Sequence, residues 1–331
     1  MTQNWLGPYV TKRLGWALAT VLAILVINFL VIHLTPGDPI QALVGDFPAP
    51  PEYIAQVRRE FGLDEPLFVQ LWLYLVNLAQ GNLGYSFVYR QPVLGLILGR
   101  APNTLLLMIP ALVFATLIGV VLALAAAPRA GGAADSGLTA ISLFGYSVPV
   151  FWLAQVLIVA LAVGLGWFPT QGMISLRAPP TGLGYLTDLL WHLVLPVACV
   201  MTYFIAVVAR VARASVLQAL HEDYVLTAQA KGLTRRRILW RHILPNALIP
   251  VVTIIGYNFG YSLTGAILVE SVFAWPGLGG LFISSIANRD YPVLQGIFLF
   301  SGTLVVLANL VTDLLYTVID PRVRYASRPA S

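Results

Sequence analysis

The chain has 331 residues, of which 58% are hydrophobic and 10% are charged, and its mean hydropathy is +0.82. Soluble domains carry about 25% charged residues, so this composition excludes an ordinary soluble fold and predicts an all-α protein that crosses a membrane several times. The net charge of +5 indicates membrane orientation rather than a nucleic-acid partner, because short cytoplasmic loops accumulate Lys and Arg. Cys199 is the only cysteine, which excludes an internal disulfide, and the four histidines show no metal-ligand spacing.

Six apolar runs are long enough to be membrane spans. They cover about residues 14–34, 103–127, 138–164, 191–213, 248–269 and 293–318. The first run ends at LTPGDP, where two prolines and a glycine stop a helix. Before the second run, the stretch LFVQLWLYLVNLAQGNLG (67–84) is apolar but punctuated by amides, which predicts a helix at the membrane interface rather than a further span.

The distribution of charge predicts which side of the membrane each segment occupies. The N-terminus, the 128–137 turn, the 210–247 loop and the C-terminal tail together hold 13 of the 19 basic residues, whereas the other three loops hold six against nine carboxylates. The positive-inside bias therefore places both termini in the cytoplasm. The predicted organisation is listed in chain order: a cytoplasmic N-terminus and first span (1–34), an extracytoplasmic segment with amphipathic helices (35–100), a five-helix core (101–320) with a cytoplasmic loop at 216–247, and a cytoplasmic tail (321–331).

The most charged part of the chain reads HEDYVLTAQAKGLTRRRILWRHILPNALIP (221–250). Its first half predicts a helix that ends in a left-handed cap at Gly232. Thr234 then caps a second helix, and Pro245 marks the end of that helix or a kink in it. The first turn of the second helix has three arginines, which oppose the helix dipole, so their role is not helix stability. The small residues Thr227, Ala228 and Ala230 favour close approach of another surface and suggest a docking element; the alternative is that the charges only set orientation.

This segment resembles the EAA loop of ABC importer permeases, whose pattern runs Glu-Ala-Ala, three residues, Gly, nine residues, Ile, any residue, Leu-Pro. Ala228, Gly232 and Leu244-Pro245 match it, whereas Leu226, Thr227 and His242 depart from it. DYVLTAQAKGL is similar to the version in peptide transporters. Further motifs resemble the first permease of dipeptide and oligopeptide importers: LTPGDP, QGNLGYSF, SVPVFW, GWFPTQG, VFAWPGLGGL, RDYPVLQG and NLVTDLLYTVIDPRVR.

The resemblance implies a type I ABC importer permease fold with six transmembrane helices in the bacterial cytoplasmic (inner) membrane. It implies that the loop docks on an ATPase through Asp223, Tyr224, Ala228, Lys231, Gly232, Leu233, Arg235, Arg236 and Arg237. The chain has no GxxxxGK[ST] phosphate loop, so we expect no enzymatic activity and no cofactor of its own, with ATP and Mg on the partner subunits. The expected partners are a second homologous permease, two ABC ATPase subunits, an extracytoplasmic solute-binding protein and membrane lipid.

Polar residues within the later spans are candidates for the translocation path, because ionisable and polar groups are costly inside a membrane. They are Asn258, Tyr261 and Asp313. Asn258 and Tyr261 could instead bond a neighbouring helix, and Asp313 could instead pack against polar or basic groups near the tail. Glu270 lies at the outer end of the fifth span, where it could be interfacial. The sequence AWPGLGG (274–280) predicts either a contact for the binding protein or a re-entrant turn.

Two other functions fit the sequence less well than an ABC importer does. An ion-gradient-driven secondary transporter would show corresponding pairs of interrupted spans, and we see none in the sequence. A membrane scaffold would not explain a glycine-centred charged loop within a full-length permease pattern. Within the same importer class the cargo could be a nickel chelate, glutathione or a sugar, but the motifs favour di- or oligopeptides.

Overall fold

The structure is a computed structural model that describes residues 6–34, 39–44, 49–175 and 181–319. Within these residues the chain is almost entirely helical, as the sequence predicts. The α-helices are α1 (Leu6–Leu34), α2 (Pro39–Val44), α3 (Pro51–Glu60), α4 (Leu67–Ala79), α5 (Val93–Ala126), α6 (Ala133–Ser147), α7 (Val150–Leu157), α8 (Leu183–Leu220), α9 (Asp223–Ala230), α10 (Arg235–Ile238), α11 (Leu244–Val272), α12 (Leu278–Ala287) and α13 (Tyr291–Ile319). A short antiparallel hairpin of β1 (Tyr85–Ser86) and β2 (Gln91–Pro92), which the sequence analysis did not predict, precedes α5.

Five helical segments in the described part of the chain are long and apolar enough to cross a membrane. They are Val10–Val31, Val93–Arg129, Leu183–Leu220, Arg235–Phe259 and Tyr291–Leu314. A sixth span is formed by α6 and α7 if the two count as one, although they are bent by 98°. The all-α fold with six spans is therefore confirmed in this sense, with the third span broken rather than straight.

The break in the third span lies between Ser147 and Val150. Val148 is in an extended conformation, with φ −77° and ψ 123°, and Pro149 follows it. Proline disfavours the helical conformation in the residue before it, which explains the break. Beyond α7 the chain continues as a π-helical segment, Ile158–Gly164. The span predicted at about 138–164 is therefore present as a bent pair of helices, a break that the sequence analysis did not predict.

The predicted second span began at residue 103, but α5 begins at Val93, directly after Pro92. The helix continues through Pro102 and Pro110, so the internal prolines do not end it. The first turns of α5 pack against α12 and α13 through the buried side chains Val93, Leu96, Ile97, Leu281 and Val293. Tertiary packing therefore extends this helix beyond its most apolar part.

The centre of the fold is the packing of α5 against α8 and α11. The buried residues of this core include Leu107, Met108 and Ala111 from α5, Leu193, Cys199 and Phe204 from α8, Val269 from α11, and Phe273 directly after α11. Two glycines permit the close approach of helices: a Cβ atom on Gly119 would lie 3.0 Å from the Ala209 nitrogen, and one on Gly145 would lie 3.0 Å from the Thr202 oxygen. Small residues at such contacts are typical of helices that associate within membranes.

The segment between α1 and α5 packs on one end of the bundle. Asn28 of α1 donates to the Tyr74 hydroxyl at 2.7 Å, and His33 Nε2 lies 2.7 Å from Gln70 Oε1. On the other side of α4, Phe68 is 80% exposed. This distribution of polar contacts inward and aromatic surface outward supports the prediction that α4 is an interfacial helix.

The β1–β2 hairpin is held against the chain between α12 and α13. Ser86 Oγ donates to Asp290 Oδ2, and the Tyr89 hydroxyl lies 2.6 Å from Ser284 Oγ. Asp290 is buried, and burial raises the pKa of its carboxyl more than the hydrogen bond from Ser86 lowers it. These contacts join residues about 200 positions apart in the sequence and place the hairpin at the same end of the bundle as α12.

Candidate functional site

Two ends of the bundle differ in charge. One end, which we name the basic end, carries the 3₁₀ turn Ala127–Arg129, the 131–134 region, α9 and α10. The opposite end carries α3, α4, the hairpin and α12. The basic end holds the predicted docking residues, and its structure is built around the turn between α9 and α10.

Gly232 has the left-handed conformation that the sequence predicts, with φ +72°. The Leu233 N–H donates to the Ala228 carbonyl at 3.2 Å, and the Gly232 N–H donates to the Gln229 carbonyl at 2.8 Å. This pattern satisfies the last carbonyls of α9 in the manner of a glycine C-terminal cap, so the predicted cap is confirmed. A Cβ atom on Gly232 would meet no described atom within 4 Å, so the surface of the turn is open at this point.

The second helix begins as predicted but does not end at Pro245. Thr234 Oγ1 accepts a hydrogen bond from the Arg237 N–H at 3.4 Å, which confirms the N-terminal cap. After α10 the chain passes through a π-helical segment, Leu239–Ile243, directly into α11. Pro245 follows this π-helical segment, and its missing N–H removes one backbone hydrogen bond without ending the helix. Residues 235–272 are therefore one continuous helical rod, so the prediction of an end at Pro245 was wrong, whereas the alternative of a kink there stays a prediction.

The predicted docking residues differ in exposure. Asp223, Lys231, Gly232, Arg235, Arg236 and Arg237 are exposed, and Tyr224 and Leu233 are half-buried. Ala228 is only 4% exposed and packs with Val216, Ala219 and Ile238. Ala228 therefore lies inside the protein's own packing and is not part of an exposed small-residue face, since α9 turns that side towards α8 and α10. Thr227 and Ala230 remain exposed.

The α9–α10 element is attached to the ends of three long helices. Arg235 Nη2 donates to the Pro128 carbonyl at 3.0 Å, just beyond the end of α5. Beneath this bond, Leu124 and Ala127 share a buried cluster with Ile238 and Ile243. A force on the turn at Gly232 would therefore reach α5, α8 and α11 together.

An ion pair that the sequence analysis missed braces the same end. Arg213 of α8 binds the Asp135 carboxylate of α6 with two nitrogens, Nε and Nη2, and Nη2 lies 2.7 Å from Oδ2. The Gly131 N–H donates to the same carboxylate at 2.9 Å. Arg213 is 78 residues from Asp135, so only the fold brings the two charges together.

The three translocation-path candidates are not brought into one site. Asn258 is buried at 5% exposure, and its Nδ2 has no hydrogen-bond partner among the described residues. Tyr261 lies within α11, but its side chain is outside the described residues. Asp313 instead forms an ion pair with Arg13 of α1, with 2.9 Å between Oδ2 and Nη1. Asp313 therefore contacts a basic group, as the alternative interpretation predicted. That group is Arg13 of the first helix and not a residue of the tail.

A charge exchange tests this ion pair. We expect Asp313→Arg to lower the melting temperature of the detergent-solubilised protein, because it places two cations together, and we expect Arg13→Asp in the same chain to restore it. Both side chains are partly exposed, at 41% and 27%, so the pair itself contributes at most about 1 kcal/mol and the repulsion should dominate the single variant. A double variant that melts no higher than Asp313→Arg would contradict the assignment.

At the opposite end, Glu270 is fully buried, at 0% exposure, at the end of α11. Its carboxylate accepts a hydrogen bond from Thr104 Oγ1 at 2.7 Å and from the Gly279 N–H at 2.6 Å. Thr104 Oγ1 in turn accepts from the Leu278 N–H at 2.8 Å. The carboxylate therefore caps the N-terminus of α12, a favourable place for negative charge, and ties it to α5 and α11. Glu270 is thus enclosed by the protein itself, and its interfacial depth in the membrane stays a prediction.

The AWPGLGG loop (274–280) folds inward around this carboxylate. Trp275 is buried and donates from Nε1 to the Asn103 carbonyl at 2.9 Å, while Asn103 Nδ2 donates to the Pro276 carbonyl at 2.8 Å. A Cβ atom on Gly277 would overlap the Glu270 carboxylate. The loop is thus a packed turn, which favours the re-entrant interpretation over a surface contact. The sequence contained a signal for this arrangement, because Glu270 is followed by Gly277 and Gly279 at the N-terminus of α12, where free N–H groups favour a carboxylate.

No group of three His, Cys, Asp or Glu side chains that could hold a metal ion occurs in residues 6–34, 39–44, 49–175 and 181–319. A charged, glycine-centred turn at one end is joined by a continuous helix to a buried capping carboxylate at the other.

Comparison with protein families gives two matches that together cover most of the chain. Residues 115–325 match the model of the binding-protein-dependent transport system inner membrane component, which includes the α9–α10 element. Residues 8–108 match the model of the N-terminal part of such membrane components. The boundary between the two matches falls inside α5.

Individual relatives align over nearly the whole length. The di/tripeptide transport system permease protein DppB of Pseudomonas aeruginosa is 40% identical, with 96% of this chain and 98% of the relative covered. The dipeptide transport system permease protein DppB of Escherichia coli is 38% identical over the same shares. The oligopeptide transport system permease protein AppB of Bacillus subtilis is 37% identical, with 97% and 100% covered. The resemblance inferred from the motifs is thereby confirmed, and the chain belongs to the family of inner membrane components of binding-protein-dependent transport systems.

Proposed function

We propose that the chain is the permease subunit of an ABC importer for di- or oligopeptides. The observation that carries this proposal is the continuous helix from the capped turn at Gly232 to Glu270, within a chain that aligns end to end with permeases named for peptide transport. A permease of this kind supplies part of the translocation path, and separate ATPase subunits supply ATP hydrolysis with Mg. The chain has no phosphate-binding loop with which to do so itself.

The proposed orientation places the basic end in the cytoplasm, with both termini on that side and residues 35–100 outside. It is supported by the 13 of 19 basic residues that the N-terminus, the 128–137 turn, the 210–247 loop and the tail contain. The location is the bacterial cytoplasmic membrane, as in the family description. In this orientation α9 and α10 face the ATPase, and α12 faces the extracytoplasmic side.

The exposed residues of the α9–α10 element form the ATPase contact in this proposal. They are Asp223, Lys231, Gly232 and Arg237, with the half-buried Tyr224 and Leu233 at the edge. Ala228 acts indirectly, because its small buried side chain lets α9 lie close to the core. Arg235 is partly engaged by the Pro128 carbonyl and so connects the contact to α5. Arg236 adds positive charge at the same turn.

Movement of the ATPase subunits is transmitted through this element. When the docked turn shifts, the helical rod 235–272 carries the shift across the membrane, because its backbone stays helical from α10 through the π-helical segment into α11. At the far end, Glu270 passes the movement to α12 and to Thr104 of α5. Alternating exposure of the path to the two sides follows if α5, α11 and α12 move together. Asn258, whose buried amide nitrogen has no hydrogen-bond partner in the described part of the chain, and Tyr261 remain the proposed path residues on this rod.

The proposed complex contains a second homologous permease, two ATPase subunits and an extracytoplasmic solute-binding protein. Gentle purification of the tagged chain from its native membrane, followed by mass spectrometry, tests this composition. We expect an ATPase with phosphate-binding loops and a second permease to co-purify. Uptake of a labelled dipeptide should stop when ATP is depleted and persist when the proton gradient is collapsed. A chain that purifies alone and supports gradient-driven uptake would contradict the proposal and favour a secondary transporter.

A further inference from the structure

A cavity of about 660 Å³ lies at the basic end, within the size range of ligand sites in proteins. It is open on one side and bordered by the end of α5, the end of α8, α9 and the α10–α11 rod. Its walls are largely apolar and include Leu124, Leu220, Leu239 and Ile243. The function proposed above places Arg235 and Arg236 at the edge of the ATPase contact and assigns nothing to the apolar space behind them.

The polar side chains that line the cavity are Gln229 and three arginines. Arg129, Arg235 and Arg236 line it, and all three are exposed. Among the residues that the structure describes, no aspartate or glutamate lines the cavity. Arg235 donates one hydrogen bond to the Pro128 carbonyl, which fixes the guanidinium beside the cavity. A guanidinium has five N–H donors, so this bond leaves most of its capacity for a ligand.

Residues next to the cavity have the composition of a membrane surface. Trp240 is 52% exposed, and Arg241 beside it is exposed as well. Tryptophan is enriched at membrane–water interfaces, and arginine extends its charged group towards the headgroups there. On α5, Val121 is an exposed apolar residue about one turn before Leu124. The cavity therefore lies where the apolar surface of the span gives way to the charged surface of the loop.

Three arginines over apolar walls, at the level of the headgroups, match one kind of ligand best. Guanidinium groups bind phosphate oxygens with paired hydrogen bonds, and apolar side chains accept the start of an acyl chain. A soluble anion would not use the apolar walls, and a neutral lipid would not use the excess positive charge. We propose that this cavity binds the headgroup of an anionic phospholipid from the cytoplasmic leaflet, with Arg129, Arg235 and Arg236 around its phosphate. The proposal rests on the orientation given under the proposed function.

Native mass spectrometry of the purified complex tests the site. The complex is titrated with dioleoylphosphatidylglycerol and, for comparison, with dioleoylphosphatidylcholine. We expect the double variant Arg129→Gln, Arg236→Gln to bind the anionic lipid about 30-fold more weakly, since each basic residue near a membrane surface contributes about 1 kcal/mol. Arg237→Gln is the matched control, because Arg237 is exposed in the same helical turn but does not line the cavity. We expect its effect to be much smaller.

A variant that fills the cavity without changing its charge distinguishes lipid bound inside the cavity from non-specific electrostatic attraction of anionic lipid to the basic end. Ala125 lines the cavity and is exposed, so Ala125→Trp should block the anionic lipid while leaving the charge unaltered. Equal loss in Arg237→Gln, or unchanged binding in the double variant or in Ala125→Trp, would overturn the proposal. So would a double variant that loses its ATPase while retaining the lipid, because an acidic surface of the ATPase would then be the occupant.

The same purification keeps the two proposals distinct. If the ATPase co-purifies but phosphatidylglycerol binds no better than phosphatidylcholine, only the lipid site is overturned. If no ATPase is found, the lipid titration of the chain alone still gives a result. Specific binding would then place this end at a membrane surface without supporting the importer.

Discussion

Gly232→Trp is expected to abolish peptide uptake while the protein still inserts and folds in the membrane. Gly232 has φ +72°, and a residue with a side chain pays about 1–2 kcal/mol in that conformation, which a protein of this size can tolerate. No described atom lies within 4 Å of an added Cβ, so the indole would project outward and not into the core. It would then occupy the surface that the ATPase must approach. Measurement of dipeptide uptake and of the membrane level of the variant checks both halves of this expectation.

Two controls separate blocked docking from backbone strain. Gly232→Ala introduces the same left-handed strain without the bulk and should retain a substantial part of the uptake. Gly166→Trp introduces the same bulk at a glycine with φ +64° and equally open surroundings, but away from the basic end. We expect the ATPase to co-purify with Gly166→Trp and to be lost from Gly232→Trp. Normal uptake by Gly232→Trp would remove the docking assignment.

The parts of the site that could be predicted from the sequence are those that local chemistry decides. The cap at Gly232 and the cap at Thr234 depend on residues within five positions of each other, so the pattern of residue types was sufficient. Pro149 carried an equally local signal, and its effect on Val148 explains the broken third span.

The parts that could not be predicted depend on which helices become neighbours. Ala228 is buried because α9 lies on α8 and α10, and nothing in the spacing of small residues says which side faces inward. Arg13 meets Asp313 across 300 residues of sequence, and Arg213 meets Asp135 across 78. Such partners follow from the packing of whole helices. The sequence shows that a charged residue lies within a span, where burial is costly. It does not show which residue of another helix pairs with that charge.

The hydrogen bonds by which Glu270 joins α11 to α12 and α5, here called the Glu270 tie, give the second large expected effect. Glu270→Ala removes the acceptor for Thr104 Oγ1 and for the Gly279 N–H in a fully buried place. Each buried donor left unpaired costs about 1–3 kcal/mol, and the loss of negative charge at the start of α12 adds to this. We therefore expect a lower melting temperature of the solubilised protein and loss of uptake. Glu52→Ala, which removes an exposed carboxylate from α3, is the control and should melt like the wild type.

Conservative variants distinguish a transmitting role for this tie from a merely stabilising one. Glu270→Gln keeps the shape and one acceptor oxygen but turns the other towards its donor as an NH₂ group, so it should melt between the wild type and Glu270→Ala. Thr104→Val should act in the same direction, because Thr104 Oγ1 joins Glu270 to the Leu278 N–H, and Thr104→Ser should restore both contacts.

If the tie carries movement from the rod to α12, Glu270→Gln should retain ATP hydrolysis by the complex while uptake falls, so that more ATP is hydrolysed per peptide. Equal loss of hydrolysis and uptake, in proportion to the protein remaining, would mean that Glu270 stabilises the opposite end without transmitting anything to it.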